Sequence, residues 1–116
     1  MRGLRGAITV KSDTVEEVKR STVKLMKALI KENNLVEENI ISIFFTATKD
    51  IHSSYPGKHL REELNLKQVA MLHFQEMDVI DSLPLCIRVL IQYEGSNEPN
   101  HQYLEGAEVL RPDLVK

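Results

Sequence analysis

Residues 13–34 read DTVEEVKRSTVKLMKALIKENN, and their spacing decides the class of fold. Val15, Val18, Thr22, Leu25, Met26, Leu29 and Ile30 recur at intervals of three and four residues. Glu16, Lys19, Arg20, Lys24, Lys27 and Lys31 mostly fall off that stripe. An apolar stripe with a charged back is the pattern of an amphipathic helix lying on a core. Asp13 followed by Glu16 has capping-box spacing and predicts the helix start, and Asn33-Asn34 predicts its end.

Outward from this helix the chain reads mostly as strands. Residues 2–10, RGLRGAITV, place Leu4, Ile8 and Val10 on one parity and Gly3, Arg5, Ala7 and Thr9 on the other. Residues 40–48, IISIFFTAT, are apolar on both parities, which predicts a central strand buried on both faces. The turn-rich KDIHSSYPGK leads into a short helical stretch at HLREEL. Residues 68–74, QVAMLHF, read as a third strand, QEMDVIDSLP as a loop, 85–93 as a fourth strand and 102–110 as a fifth. The order β-α-β-(short α)-β-β-β predicts an α+β domain, a sheet with one long helix on one face. One helix covers only part of such a sheet, so assembly into an oligomer offers a way to bury the rest.

The length of 116 residues predicts a single domain spanning 1–116. With 15 basic against 17 acidic side chains, the charge balance argues against a general nucleic-acid or anionic-membrane binder. Any bound anion must be held by a local group of arginines. The single Cys86 excludes an intrachain disulfide, and no Cys/His pair has zinc-ligand spacing. No apolar run approaches the roughly 18 residues needed to cross a bilayer. The N-terminus shows no signal-peptide pattern. The expectation is a cytoplasmic protein, with no membrane or nucleic-acid partner.

Arg88 is the residue that asks for an explanation, because it interrupts the apolar strand LCIRVLIQY. Parity puts it with Cys86, Leu90 and Gln92 on a mixed face, opposite Leu85, Ile87, Val89 and Ile91. A guanidinium stays charged wherever the fold places it. It therefore either pairs with Glu76 or Asp78 or faces an anionic ligand, and parity alone leaves both open. Arg5 between Gly3 and Gly6, Arg61 after Tyr55-Pro56-Gly57, and Arg111 in LRPDL raise the same choice. Glu76 stands at a strand end, Tyr103 at a strand start, and the four histidines share no motif. No Ser/His/Asp or Cys/His order, glycine-rich phosphate loop or metal triad is present. Several strand arginines without a nucleophile suit an anion site better than covalent chemistry.

Taken in order, RGLRGAITV, TATKDIHSSYPGKHLRE, FQEMDV, LCIRVL and YLEGAEVLRPDL resemble the small monofunctional chorismate mutases of the trimeric, Bacillus-type class. The match runs from Arg2 to Leu114. The resemblance implies a mixed five-stranded sheet of ferredoxin-like, chorismate-mutase-like form, with three copies closing a pseudo-α/β barrel and active sites at the subunit interfaces. It also implies the reaction, chorismate to prephenate by a Claisen rearrangement that feeds phenylalanine and tyrosine synthesis, with no cofactor or metal. By motif, Arg88 is the donor to the ether oxygen and Glu76 the partner of the ring hydroxyl. Arg5 and Tyr103 hold a carboxylate, Arg61 and Arg111 are peripheral, and Tyr55 and Leu110 supply apolar wall.

The sequence departs from the family pattern at Leu72 and His73, where a small polar residue and a cysteine are expected. That makes His73 a candidate to contact the substrate, as a neutral ring at the hydroxyl or as a cation paired with Glu76. The tail ends at Lys116, shorter than is usual. Two competing readings are an enamine/imine deaminase on a similar scaffold and a trimeric regulatory module that binds an anion without turnover. Glu76 together with Arg88 disfavours both, since neither needs that pairing.

Overall fold

In the computed structural model, which describes residues 1–114, the long helix α1 spans Val15–Asn33 and lies across one face of a five-stranded sheet. Its N-cap is Thr14, whose Oγ1 accepts the Glu17 N–H at 3.1 Å, so the sequence expectation of Asp13 and Glu16 is off by one residue. The Asp13 carboxylate instead accepts the N–H groups of His52 and Ser53, each at 3.0 Å, and ties down the loop that precedes Tyr55. Asn34 ends the helix in the left-handed conformation, at φ 51°, which asparagine tolerates better than most residues.

The strands are β1 (Arg2–Thr9), β2 (Ile40–Ala47), β3 (Ala70–Gln75), β4 (Cys86–Tyr93) and β5 (Gln102–Leu104), and the second helix, α2, spans Pro56–Glu63. They lie in the order β3-β2-β4-β1-β5. β4 pairs antiparallel with both β1 and β2, while β2–β3 and β1–β5 are parallel, so the sheet is mixed. β1 and β2, joined by α1, run parallel with β4 between them, the split βαβ arrangement. The helix face carries Leu4 and Ile8 of β1, Ile43 and Phe45 of β2, and Ile87, Val89 and Ile91 of β4, packed on Val18, Leu25, Met26 and Leu29 of α1. Cutting one of these fully buried leucines to alanine costs about 2–5 kcal/mol.

Two expectations change. β2 is buried on the helix face only: Phe44 on the opposite side is half-buried, Ile41 at the register irregularity between Ile40 and Ser42 is exposed, and so are Leu72, Phe74 and Leu90 of the neighbouring strands. Strand five does not reach residue 110: β5 stops at Leu104 and Glu105–Leu110 turn into a 3-10 helix. The cause is local. Glu105 takes φ 55°, which ends an extended strand, and Gly106 donates its N–H to Thr9 Oγ1 at 2.8 Å. A Cβ at Gly106 would sit 3.0 Å from that same oxygen, so the approach favours glycine.

Candidate active site

The register of the sheet assembles the site. Phe74, Thr46, Arg88, Ala7 and Tyr103 form one row across all five strands, on the face away from α1. The adjacent row on that face holds Leu72, Phe44, Leu90 and Arg5. From these rows Arg5, Phe44, Thr46, Arg88, Leu90 and Tyr103 line a cleft of about 440 Å³, which Glu76, Leu110 and Arg111 complete. Six of the residues expected from sequence therefore meet at one place. Among the described residues lining the cleft there is no cysteine, serine or histidine.

Arg88 stands near the centre with capacity to spare. Its Nε lies 3.5 Å from Glu76 Oε1, yet is buried without a hydrogen-bond partner. Glu76 Oε1 accepts from the Thr46 hydroxyl at 2.5 Å instead, and the Glu76 N–H is held by the Ala47 carbonyl at 2.9 Å. Asp78, the other acid that sequence offered Arg88, pairs with Lys49 at 2.9 Å. A buried N–H without a partner is costly unless something else arrives to accept it. Arg111 differs: its guanidinium is met by both oxygens of Asp113, at 3.1 and 2.9 Å.

The placement of Arg88 is set at the start of β4. Leu85 takes φ 49°, a strained conformation for leucine, and its N–H is held by both Asp50 carboxylate oxygens at 3.2 and 3.0 Å. The Cys86 N–H goes to Thr48 Oγ1 at 3.0 Å. Two residues of the TATKD segment therefore fix where the strand begins, and Arg88 follows by the two-residue pleat. Sequence reasoning passed over Thr46, Thr48 and Asp50. A threonine on the same parity as Phe44 in an otherwise apolar strand was the available signal for Thr46. Behind Arg88, burial pushes the Cys86 thiol pKa up, against the pull of the Arg88 charge, so this sulfur stays protonated.

Three expected site residues lie elsewhere. His73 pairs with Phe45, one pleat out of step with Arg88, and so projects from the helix face. There it stacks on Phe45 with ring centroids 5.2 Å apart, and its Nε2 accepts the Gly57 N–H at 2.9 Å. An accepting Nε2 belongs to a neutral ring. Burial, and then the Arg61 charge, push its pKa below the usual histidine value. A protonated His73 paired with Glu76 is thus not what the structure holds. Tyr55 is 67% exposed beside His73, and the two border a second cavity of about 650 Å³ at the β3 edge. Arg61 is exposed in the last turn of α2. Tail residues Val115 and Lys116 lie outside the described residues.

Comparison with known proteins is consistent in all three respects. The sequence pattern of the family described as chorismate mutase type I matches residues 1–114. The chain is 39% identical over 117 residues to chorismate mutase AroH of Bacillus subtilis (strain 168), covering 98% of this chain and 92% of that protein. It is 36% identical over 118 residues to chorismate mutase AroH of Thermus thermophilus, covering 98% and 96%. The solved structure of a chorismate mutase from Clostridium thermocellum superposes with a TM-score of 0.91 at 37% identity, covering 94% of this chain and 99% of that one.

Proposed function

Because the chain belongs to the type I chorismate mutase family, we propose that its arginine-lined cleft converts chorismate to prephenate by a non-covalent Claisen rearrangement. The observation that carries this reading is the unspent Nε of Arg88, buried beside Glu76 at the centre of the cleft.

Chorismate is a dianion, and the cleft offers Arg5, Arg88 and Arg111 to its two carboxylates. As the C–O bond breaks ahead of C–C formation, negative charge gathers on the ether oxygen and positive charge on the ring. A fixed donor at that oxygen binds the transition state more strongly than the substrate. Arg88 is that donor, worth about 3–4 kcal/mol of barrier. Arg5 and Tyr103 hold the side-chain carboxylate and restrain the chair-like geometry in which the ends meet. Glu76, oriented by Thr46, accepts from the ring hydroxyl and favours the developing ring cation. Leu110 closes the apolar wall.

The working form is a homotrimer with sites shared between copies. Tyr55 and Arg61 lie at the β3 edge, outside the cleft of their own chain, and reach a substrate by serving a neighbour's cleft. The exposed Ile41, Leu72, Phe74 and Leu90 supply the apolar surface such an assembly buries. The whole of residues 1–116 acts as one domain in the cytoplasm. Among the described residues no helix is long and apolar enough to cross a membrane.

The test is direct. Chorismate is mixed with purified protein and its ultraviolet absorbance followed. Loss of the chorismate signal with formation of prephenate supports the reading; unchanged absorbance at micromolar protein overturns it.

A further inference from the structure

We propose that His101 is a positioning residue of this site: its Nδ1 holds the Arg5 N–H and so fixes Arg5 and Tyr103 against the substrate carboxylate. The inference rests on the assignment of the cleft as a chorismate mutase site. His101 itself does not line the cleft.

β5 is only three residues long and is joined to β1 at Gly6–Gln102, Ala7–Tyr103 and Ile8–Leu104. So short a parallel pairing needs support at its ends. His101 immediately precedes Gln102, and its Nδ1 accepts the Arg5 N–H at 2.9 Å, extending the ladder by one bond through a side chain. A second anchor lies one residue back. The Asn100 N–H donates to Asn33 Oδ1 at 2.7 Å, and Asn33 Nδ2 returns a bond to the Asn100 carbonyl at 3.0 Å. Asn100 Nδ2 also reaches the Glu32 carbonyl at 3.1 Å. The start of β5 is thus pinned to the end of α1 on one side and to β1 on the other. Tyr103 follows two residues later, and Arg5 is gripped by its own backbone.

An Nδ1 that accepts requires the neutral ring with its proton on Nε2. Burial, then the charges of Arg5 on β1 and Arg111 beyond the 3-10 turn, push the His101 pKa down. The contacts from α1 are the Glu32 carbonyl and the Asn33 amide, both taken by Asn100; in the preceding loop Glu98 lies 3.7 Å from Arg2. Protonation would cost His101 its acceptor and set a third cation beside Arg5 and Arg111.

The experiment compares wild type, His101→Asn and His101→Ala. Asparagine offers Oδ1 near the place of Nδ1 and does not titrate. Chorismate turnover is measured from pH 5 to 8, and the imidazole nitrogens are followed by ¹⁵N NMR in the wild type. The expected results are a His101 ring with Nδ1 unprotonated at neutral pH and an acid limb in kcat/KM below about pH 6.5. His101→Asn should keep most of the neutral-pH activity and lose that limb, whereas His101→Ala should lose about 10- to 100-fold in kcat/KM. Every other ionisable group is common to the two proteins, so the difference between the profiles isolates His101. Wild-type kcat/KM in His101→Ala, an unchanged acid limb in His101→Asn, or a proton on Nδ1 would each overturn the proposal. If His101→Ala does not fold, the asparagine variant and the nitrogen spectrum decide. If the wild type leaves chorismate untouched, the assignment of the reaction fails, while the nitrogen spectrum still judges the Nδ1–Arg5 bond.

Discussion

Arg88 Nε lies 3.5 Å from Glu76 Oε1, close enough for each charge to feel the other but without a hydrogen bond at that nitrogen. Glu76 is engaged by the Thr46 hydroxyl instead. An ion pair built for stability would use its donors on its partner, and a buried pair is in any case weak evidence for stability. This one holds the guanidinium in place and keeps Nε available. That arrangement suits a group whose acceptor gains negative charge only during the reaction.

The proposed sharing of sites between copies makes a prediction about mixtures. Arg61→Ala alone should raise KM with little change in kcat, because a peripheral contact is made about equally to substrate and transition state. Arg88→Ala alone should be nearly inactive. Chains of the two variants assembled into mixed trimers should form one interface with both arginines intact. The mixture should therefore exceed the average of the two separate proteins in kcat/KM. Activity no higher than that average would place the site within single chains. Sedimentation should give about 40 kDa, three times the 13.3 kDa chain.

The helix start offers a clean test of local structure. Thr14→Ala removes the hydroxyl that accepts the Glu17 N–H and should cost about 1 kcal/mol by chemical denaturation. A loss below about 0.3 kcal/mol would mean that another group takes over the cap.

Acid stability should depend on His73. Its folded pKa is depressed, by burial first and Arg61 second, so the unfolded chain takes up the proton more readily. Stability is then full above the unfolded value of about 6.5 and is lost as pH falls from there towards the folded pKa. His73→Gln keeps an acceptor near the position of Nε2 for Gly57 without a titrating ring. Its urea midpoint should fall less between pH 7.5 and pH 5 than that of the wild type. An equal fall in both proteins would show that the bond to Gly57 does not carry a proton-linked share of the stability.

The sequence was most legible where a single periodicity decides the answer. The three-and-four spacing of α1 and the parity of Arg88 on β4 both stand in the structure, because one buried face enforces each of them. Legibility failed where non-local contacts decide. The apolar second parity of β2 predicted full burial, but Phe44 on that parity is only half-buried. β5 ends early because Gly106 meets Thr9 across 97 residues of sequence, a contact invisible to local pattern. His73 was a site candidate because it stands where the family pattern expects a cysteine, three residues before Glu76. Glu76 lies past the end of β3, so pleat parity no longer relates the two, and His73 faces the helix. His101 was passed over among four histidines without a motif, since its partner is a backbone N–H that sequence does not display.

The central claim rests on Arg88 acting as a rigid forked donor, and Arg88→Lys tests it most directly. Lysine keeps the charge but loses the planar fork and its fixed aim. With chorismate as substrate, the account predicts a fall in kcat of several hundred-fold, within the roughly 10²–10³ range for one lost transition-state donor, in a protein that stays folded. A kcat near that of the wild type in folded Arg88→Lys would contradict it.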